Sequence, residues 1–112
     1  MSNRRDQARV PVQLFVEHIF EGRRQVLCVS EDLSREGMRV VGRVGDDWGT
    51  PRHVWLRFQL PGEAEPIQAL GELKHERPLA DGRPVRGFRF KYIYPKARQR
   101  YERFVEGAQA AC

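Results

Sequence analysis

Apolar residues recur at every second position along most of this chain, in short runs broken about every ten residues, and near residue 95 the period changes once to that of a helix. Strand side chains point alternately to opposite faces, so period two builds sheet, and short runs separated by turn residues predict a barrel or sandwich. Val10, Val12, Leu14, Val16 and Phe20 share one face of a first strand over residues 10–20. Residues 25–30 read as a second strand, and Gly37 starts a third over 38–41, which ends before a polar loop at 45–51. Val54, Leu56, Phe58 and Leu60 face inward from a fourth over 53–60, and residues 67–74 form a fifth. Asp81-Gly82 predicts a type I′ turn into a sixth over 85–92, with Phe88, Phe90 and Tyr92 in phase.

After residue 95 the apolar positions Ala97, Tyr101, Phe104, Val105 and Ala108 follow helical spacing, and Pro95 suits a first turn. The stripe needs apolar surface to cover, most simply a mouth or side of the sheet structure. The expected fold is therefore all-β with a C-terminal helix: a six-stranded antiparallel split barrel in one domain over residues 10–112, its helix at about 95–109, preceded by a flexible arginine-rich arm at residues 1–9.

The net charge is +5, and residues 1–30 and 81–112 are basic while 31–80 are slightly acidic. Most of the cations are arginine, whose planar fork suits phosphate and guanine edges better than lysine's point charge does. An anionic partner is the implied class. No apolar run is long enough to span a bilayer, and no apolar stretch follows the Arg4-Arg5 pair as an export signal requires, so the cytoplasm is the expected compartment. Cys28 and Cys112 lack metal-ligand spacing, and Cys28 reads as core filler. His18, His53 and His75 have no paired carboxylate, serine or cysteine at a catalytic spacing, so no enzyme and no metal site is expected.

Two patterns carry chemistry: Arg5-Asp6-Gln7-Ala8-Arg9 before the first strand, and Asp32-Leu33-Ser34-Arg35-Glu36-Gly37 between the second and third. A guanidinium can fork onto guanine O6 and N7, grip a phosphate or stack on a purine face, which fits Arg5 and Arg9. Asp32 and Ser34 can read the donor edge of a guanine, and Gly37 permits a positive φ or close approach of a ligand to the backbone. The same residues also suit a capped turn and a solvated arm.

In this order, with Gly71 in the fifth strand and Gly87-Phe88-Arg89-Phe90 in the sixth, the sequence resembles the PilZ domain family over nearly its whole length. The resemblance implies a receptor for cyclic di-GMP, bound through Arg5, Arg9, Asp32, Ser34 and Gly37, with the arm closing over the ligand. Arg4, just before the first motif arginine, implies a stacked pair of ligand molecules, and Gly71 lies where the family's fifth strand passes the bound base. No cofactor is implied. The expected output is a conformational change read in trans by a downstream protein, with no membrane and no nucleic-acid partner. Two other readings stay open: a small basic barrel that binds single-stranded nucleic acid, and a PilZ-like interaction module without a ligand. Against the first stands the lack of a strand interleaving basic and aromatic residues. Trp48 and Trp55 are expected to pack, not to stack on bases.

Overall fold

A computed structural model describes residues 8–19, 25–45 and 52–111. Among these residues six strands form β1 (Phe15–Ile19), β2 (Gln25–Ser34), β3 (Gly37–Val41), β4 (His53–Phe58), β5 (Ile67–Pro78) and β6 (Pro84–Ile93), followed by the helix α1 (Pro95–Ala111). They close into an antiparallel barrel in the order β1-β2-β3-β6-β5-β4. The ring closes because Val16 pairs with Cys28 on one side and with Phe58 on the other. The fold class matches the one expected from the period-two runs.

The inward positions make one core, in which Val16, Leu33, Met38, Val40, Leu56 and Ile67 are wholly buried. Each such side chain contributes about 1.5–3 kcal/mol of transfer free energy. Cys28 belongs to this core, as expected. The helix lies over one mouth of the barrel, where it buries Tyr101 and Val105, and the Tyr101 ring stands edge-on to Phe58 and Phe90 at 5.7 and 5.2 Å.

Several boundaries differ from the sequence reading, each for a local reason. The first strand begins at Phe15, not Val10, because Pro11 lacks an N–H and the Ser30 side chain takes over the pairing there. Its Oγ accepts the Leu14 N–H at 2.8 Å and donates to the Val12 carbonyl at 2.6 Å, while Val10 exchanges backbone bonds with Leu33. Phe20 lies outside the described residues, and the inward position before it is filled by His18. Leu60 is buried but lies beyond the end of β4.

The β5–β6 hairpin has a three-residue loop instead of a type I′ turn. Leu79 and Arg83 face each other, the Leu79 carbonyl accepts from Gly82, and Gly82 takes φ 91°. This is the pattern of a turn followed by a left-handed bulge residue. Finally, Tyr92 is out of phase with Phe88 and Phe90. A bulge opposite Leu70 and Gly71 turns Tyr92 outward and puts Ile93 into the core.

Candidate functional site

The second motif sits on paired strands instead of a loop. β2 continues to Ser34, a two-residue turn at Arg35-Glu36 reverses the chain, and β3 starts at Gly37, so Ser34 pairs with Gly37 and Asp32 with Arg39. A bulge between Ser30 and Asp32 shifts the alternation, so that Ser30 and Leu33 both point inward and Asp32 is delivered to the outside. Without that extra residue the strand period would send Asp32 into the core.

On the outside, Asp32 meets the first motif. Arg9 Nη1 donates to Asp32 Oδ1 at 2.9 Å, and Arg39 Nε lies 3.7 Å from the other carboxylate oxygen. Both guanidinium groups remain partly exposed, which keeps them available to an anion. Ser34 is buried, with its Oγ 3.5 Å from the Gly37 carbonyl. The Tyr101 phenol lies 2.7 Å from the Ser34 carbonyl and 2.9 Å from that of Gly37, and donates its one proton across the neck of the turn. Burial, above all, pushes this phenol's pKa far up, so it stays a donor.

Gly37 and Gly71 are needed for different reasons. Neither is among the described glycines of positive φ. A Cβ on Gly37 would come within 2.0 Å of the Phe88 carbonyl oxygen, so the cross-strand backbone of β6 occupies the space next to it. Gly71 faces the barrel interior, where a Cβ would lie 2.8 Å from Leu56 Cδ1 and 3.2 Å from Phe88 Cδ1. It stands apart from the groups gathered around Asp32. Arg4 and Arg5 lie outside the described residues.

A cleft of about 370 Å³ adjoins the motif, with Arg9, Ser34, Glu36 and Gly37 on one side and Lys74, His75, Gly87, Phe88 and Arg89 on the other. The residues of the second group escaped the sequence reading because they belong to β5 and β6, about 40 residues or more from the motif. The register makes them neighbours by pairing Arg39 with Gly87 and Gly87 with His75. A Cβ on Gly87 would sit 3.7 Å from the His75 ring and 3.8 Å from Arg39 Cγ, so the missing side chain leaves a notch between an imidazole and a guanidinium. The Gly-Phe-x-Phe pattern was the signal that could have led there. A larger hollow of about 670 Å³ lies elsewhere, beside Phe15, Leu27 and Pro66. Its charged groups Glu17 and Arg57 answer each other at 3.8 Å, so the chemistry points to the smaller cleft. Among the described residues no group of His, Cys, Asp or Glu is arranged to hold a metal ion, and no helix is long and apolar enough to cross a membrane.

A closed barrel with a helix over one mouth and a cationic cleft at the adjoining hairpin defines a small β-barrel domain with a candidate anion site. The PilZ domain model matches residues 3–107, and the chain belongs to the PilZ domain family. The family resemblance read from the two motifs is therefore correct. No curated protein matches by sequence. Among solved structures, the inhibitor of motility MotI/DgrA of Bacillus subtilis is similar over 92% of this chain, at 17% identity and a TM-score of 0.79; the chain covers 50% of that protein. The PilZ domain of YcgR from Escherichia coli, solved with c-di-GMP, is similar over 93% of this chain and 90% of its own length, at 14% identity and a TM-score of 0.71. The PilZ domain of CeSA from a cellulose-synthesizing bacterium is similar over 91% and 98%, at 24% identity and a TM-score of 0.63. At these identities the likeness establishes the fold.

Proposed function

We propose that this chain is a cyclic di-GMP receptor without catalytic activity, working in the cytoplasm and signalling to a partner protein. The observation that carries the reading is the Arg9–Asp32 bond. It joins two motifs 23 residues apart at the edge of one cleft whose other wall is basic. A cyclic dinucleotide brings phosphates for Arg9 and Arg39 and guanine edges for Asp32 and Ser34. In this reading residues 1–9 form an arm that closes over the ligand, Arg5 supplies a second motif guanidinium, and Arg4 compensates the charge of a second, stacked ligand molecule. Gly37 lets β6 come close enough to complete the cleft. Gly71 acts at one remove, by letting Phe88 pack beneath the site.

The route of the signal is the helix. Gln109 donates to the Ala8 carbonyl beside Arg9, Tyr101 holds the Ser34 and Gly37 carbonyls, and Arg35 faces Glu102 and Glu106 at 3.4 and 3.6 Å. Ordering the arm and the turn around a ligand therefore acts on three places along α1. Calorimetric titration with cyclic di-GMP, with GTP and cyclic di-AMP as controls, tests the reading. Saturable heat specific to cyclic di-GMP, absent from an Arg5→Ala, Arg9→Ala double variant, is the expected result. A ratio near two per chain supports the role of Arg4 and a ratio near one removes it. No heat with any of the three sinks the receptor reading.

A further inference from the structure

The outer face of the barrel carries a second constellation, away from the motif hairpin. Ile19 pairs with Trp55, Trp55 with Leu70 and Leu70 with Tyr92, so one row crosses β1, β4, β5 and β6. Trp55 and Leu70 are flanked on both sides by buried residues of their own strands, as the alternation requires of an outward position, and Tyr92 precedes the buried Ile93. Adjacent members lie about 5 Å apart, the spacing of paired strands. Tyr94 extends the row: it is 58% exposed and meets the 43%-exposed Tyr92 edge to face, with centroids 5.2 Å apart. The bulge that turned Tyr92 out of the core placed it here.

The exposed Tyr92 and Tyr94 rings and the half-buried Trp55 are of the residue types that dominate interface energetics, since such rings bury a large area while losing little rotamer freedom. Trp55 and Leu70 are paired to strands on both sides, so a partner on this face engages side chains instead of adding a strand there. The charge of the face says which partner. Arg52, Lys74 and Lys91 converge on Glu72 at 3.8, 3.2 and 3.9 Å, and Arg57 faces Glu17 at 3.8 Å. Lys74 also borders the motif cleft, and without it Arg52, Arg57 and Lys91 against Glu72 and Glu17 still leave the frame positive, on a chain of net charge +5. A second copy would meet like charge, whereas an acidic segment would find both rings and counter-charges.

We propose that the row of Trp55, Leu70 and Tyr92, with Tyr94, is the docking surface for an acidic amphipathic helix of a partner protein: its apolar side chains cover the rings and its carboxylates reach Arg52, Arg57 and Lys91. This goes beyond the receptor reading and holds whichever ligand occupies the cleft.

The test uses the full chain with Trp48→Phe, which leaves Trp55 the only tryptophan to report. The probes are a synthetic helix with leucines on one face flanked by glutamates, the same helix with lysines in their place, and an oligo-dT strand. The glutamate helix should bind saturably, shift Trp55 emission and weaken as salt rises. The lysine helix and the oligo-dT should bind at least tenfold more weakly. Tyr92→Ala with Tyr94→Ala should cost at least tenfold. Should that pair disturb folding, as circular dichroism would reveal, Arg57→Glu with Lys91→Glu should reverse the preference towards the lysine helix. Preference for oligo-dT, equal binding of both helices, undiminished binding by the variants, or no saturable binding overturns the proposal. So does self-association that the tyrosine variants abolish, which would assign the face to a second copy.

Discussion

The two mouths of the barrel solve the same problem, closing a hydrophobic interior against water, in different ways. At the mouth under α1, the Tyr101 phenol enters the core, and its partners are the backbone carbonyls of Ser34 and Gly37 within the motif turn. Towards the other end the polar groups are side chains that answer one another. Arg86 Nε lies 2.5 Å from Glu76 Oε2, Cys28 Sγ lies 3.8 Å from His18 Nδ1, and the buried His18 ring stands edge-on to Phe88. One mouth is therefore tied to the candidate site through backbone, while the other is a side-chain plug that meets the cleft at the Phe88 ring. Changes at the plug should act chiefly on stability; changes at the helix mouth should alter stability and the cleft's affinity together.

The largest effect expected from this contrast is at the plug. Burial, and after it the charge of Arg86, lowers the His18 pKa from 6.5 to about 3. The unfolded chain takes up a proton on this histidine near pH 6.5 and the folded chain does not until about pH 3, so the stability is full above 6.5 and is lost as pH falls across that window. The slope approaches about 1.4 kcal/mol per pH unit, roughly 5 kcal/mol over the window. Urea unfolding at a series of pH values should show this slope in the wild type and lose it in His18→Asn. An unchanged slope in the variant would assign the acid sensitivity to other groups.

The next effect separates two glycines. Gly37→Ala must part β3 from the Phe88 carbonyl and should cost about 3 kcal/mol, with ligand affinity falling as the turn shifts. Gly71→Ala meets side chains, Leu56 Cδ1 at 2.8 Å and Phe88 at 3.2 Å, instead of backbone, and should cost less, about 1–2 kcal/mol. Denaturant midpoints give the costs, and calorimetry on the folded variants gives the affinities. Equal affinity losses from the two would bring Gly71 closer to the ligand than the interior placement implies.

The comparison also marks what the sequence could and could not reveal. Period two and the change at residue 95 were enough for the strands, the helix and the fold class, because burial imposes alternation on every strand that lines one core. The bulges were not legible. They insert a residue without changing composition, so the outward turn of Asp32 and of Tyr92 appears only once the register is known. The far wall of the cleft was hidden for a related reason: His75 and Gly87 become neighbours of Arg39 only through the β3–β6–β5 pairing. Of the motif residues, Asp32, Ser34 and Gly37 are held together by the two-residue turn of their hairpin, and Arg9 reaches Asp32 because Val10 bridges to Leu33. Alternation places Trp55 on the outer face, but its partial burial there depends on which residues flank it from other strands.

The smallest effect is the most discriminating. Tyr101→Phe keeps the ring contacts with Phe58 and Phe90 and removes only the hydroxyl, so the core is not emptied. The Ser34 and Gly37 carbonyls lose that donor at about 1 kcal/mol, which lowers the melting temperature by roughly 5 °C in a domain of this size. If the phenol only closes the mouth, thermal unfolding moves and the cyclic di-GMP titration does not. If it ties the turn to the helix, affinity also falls by about threefold, a free-energy difference under 1 kcal/mol, because the unbound turn then samples conformations the ligand must exclude. The contrast between the mouths requires the second outcome, and a shift in melting alone would reduce the helix mouth to a plug like the other.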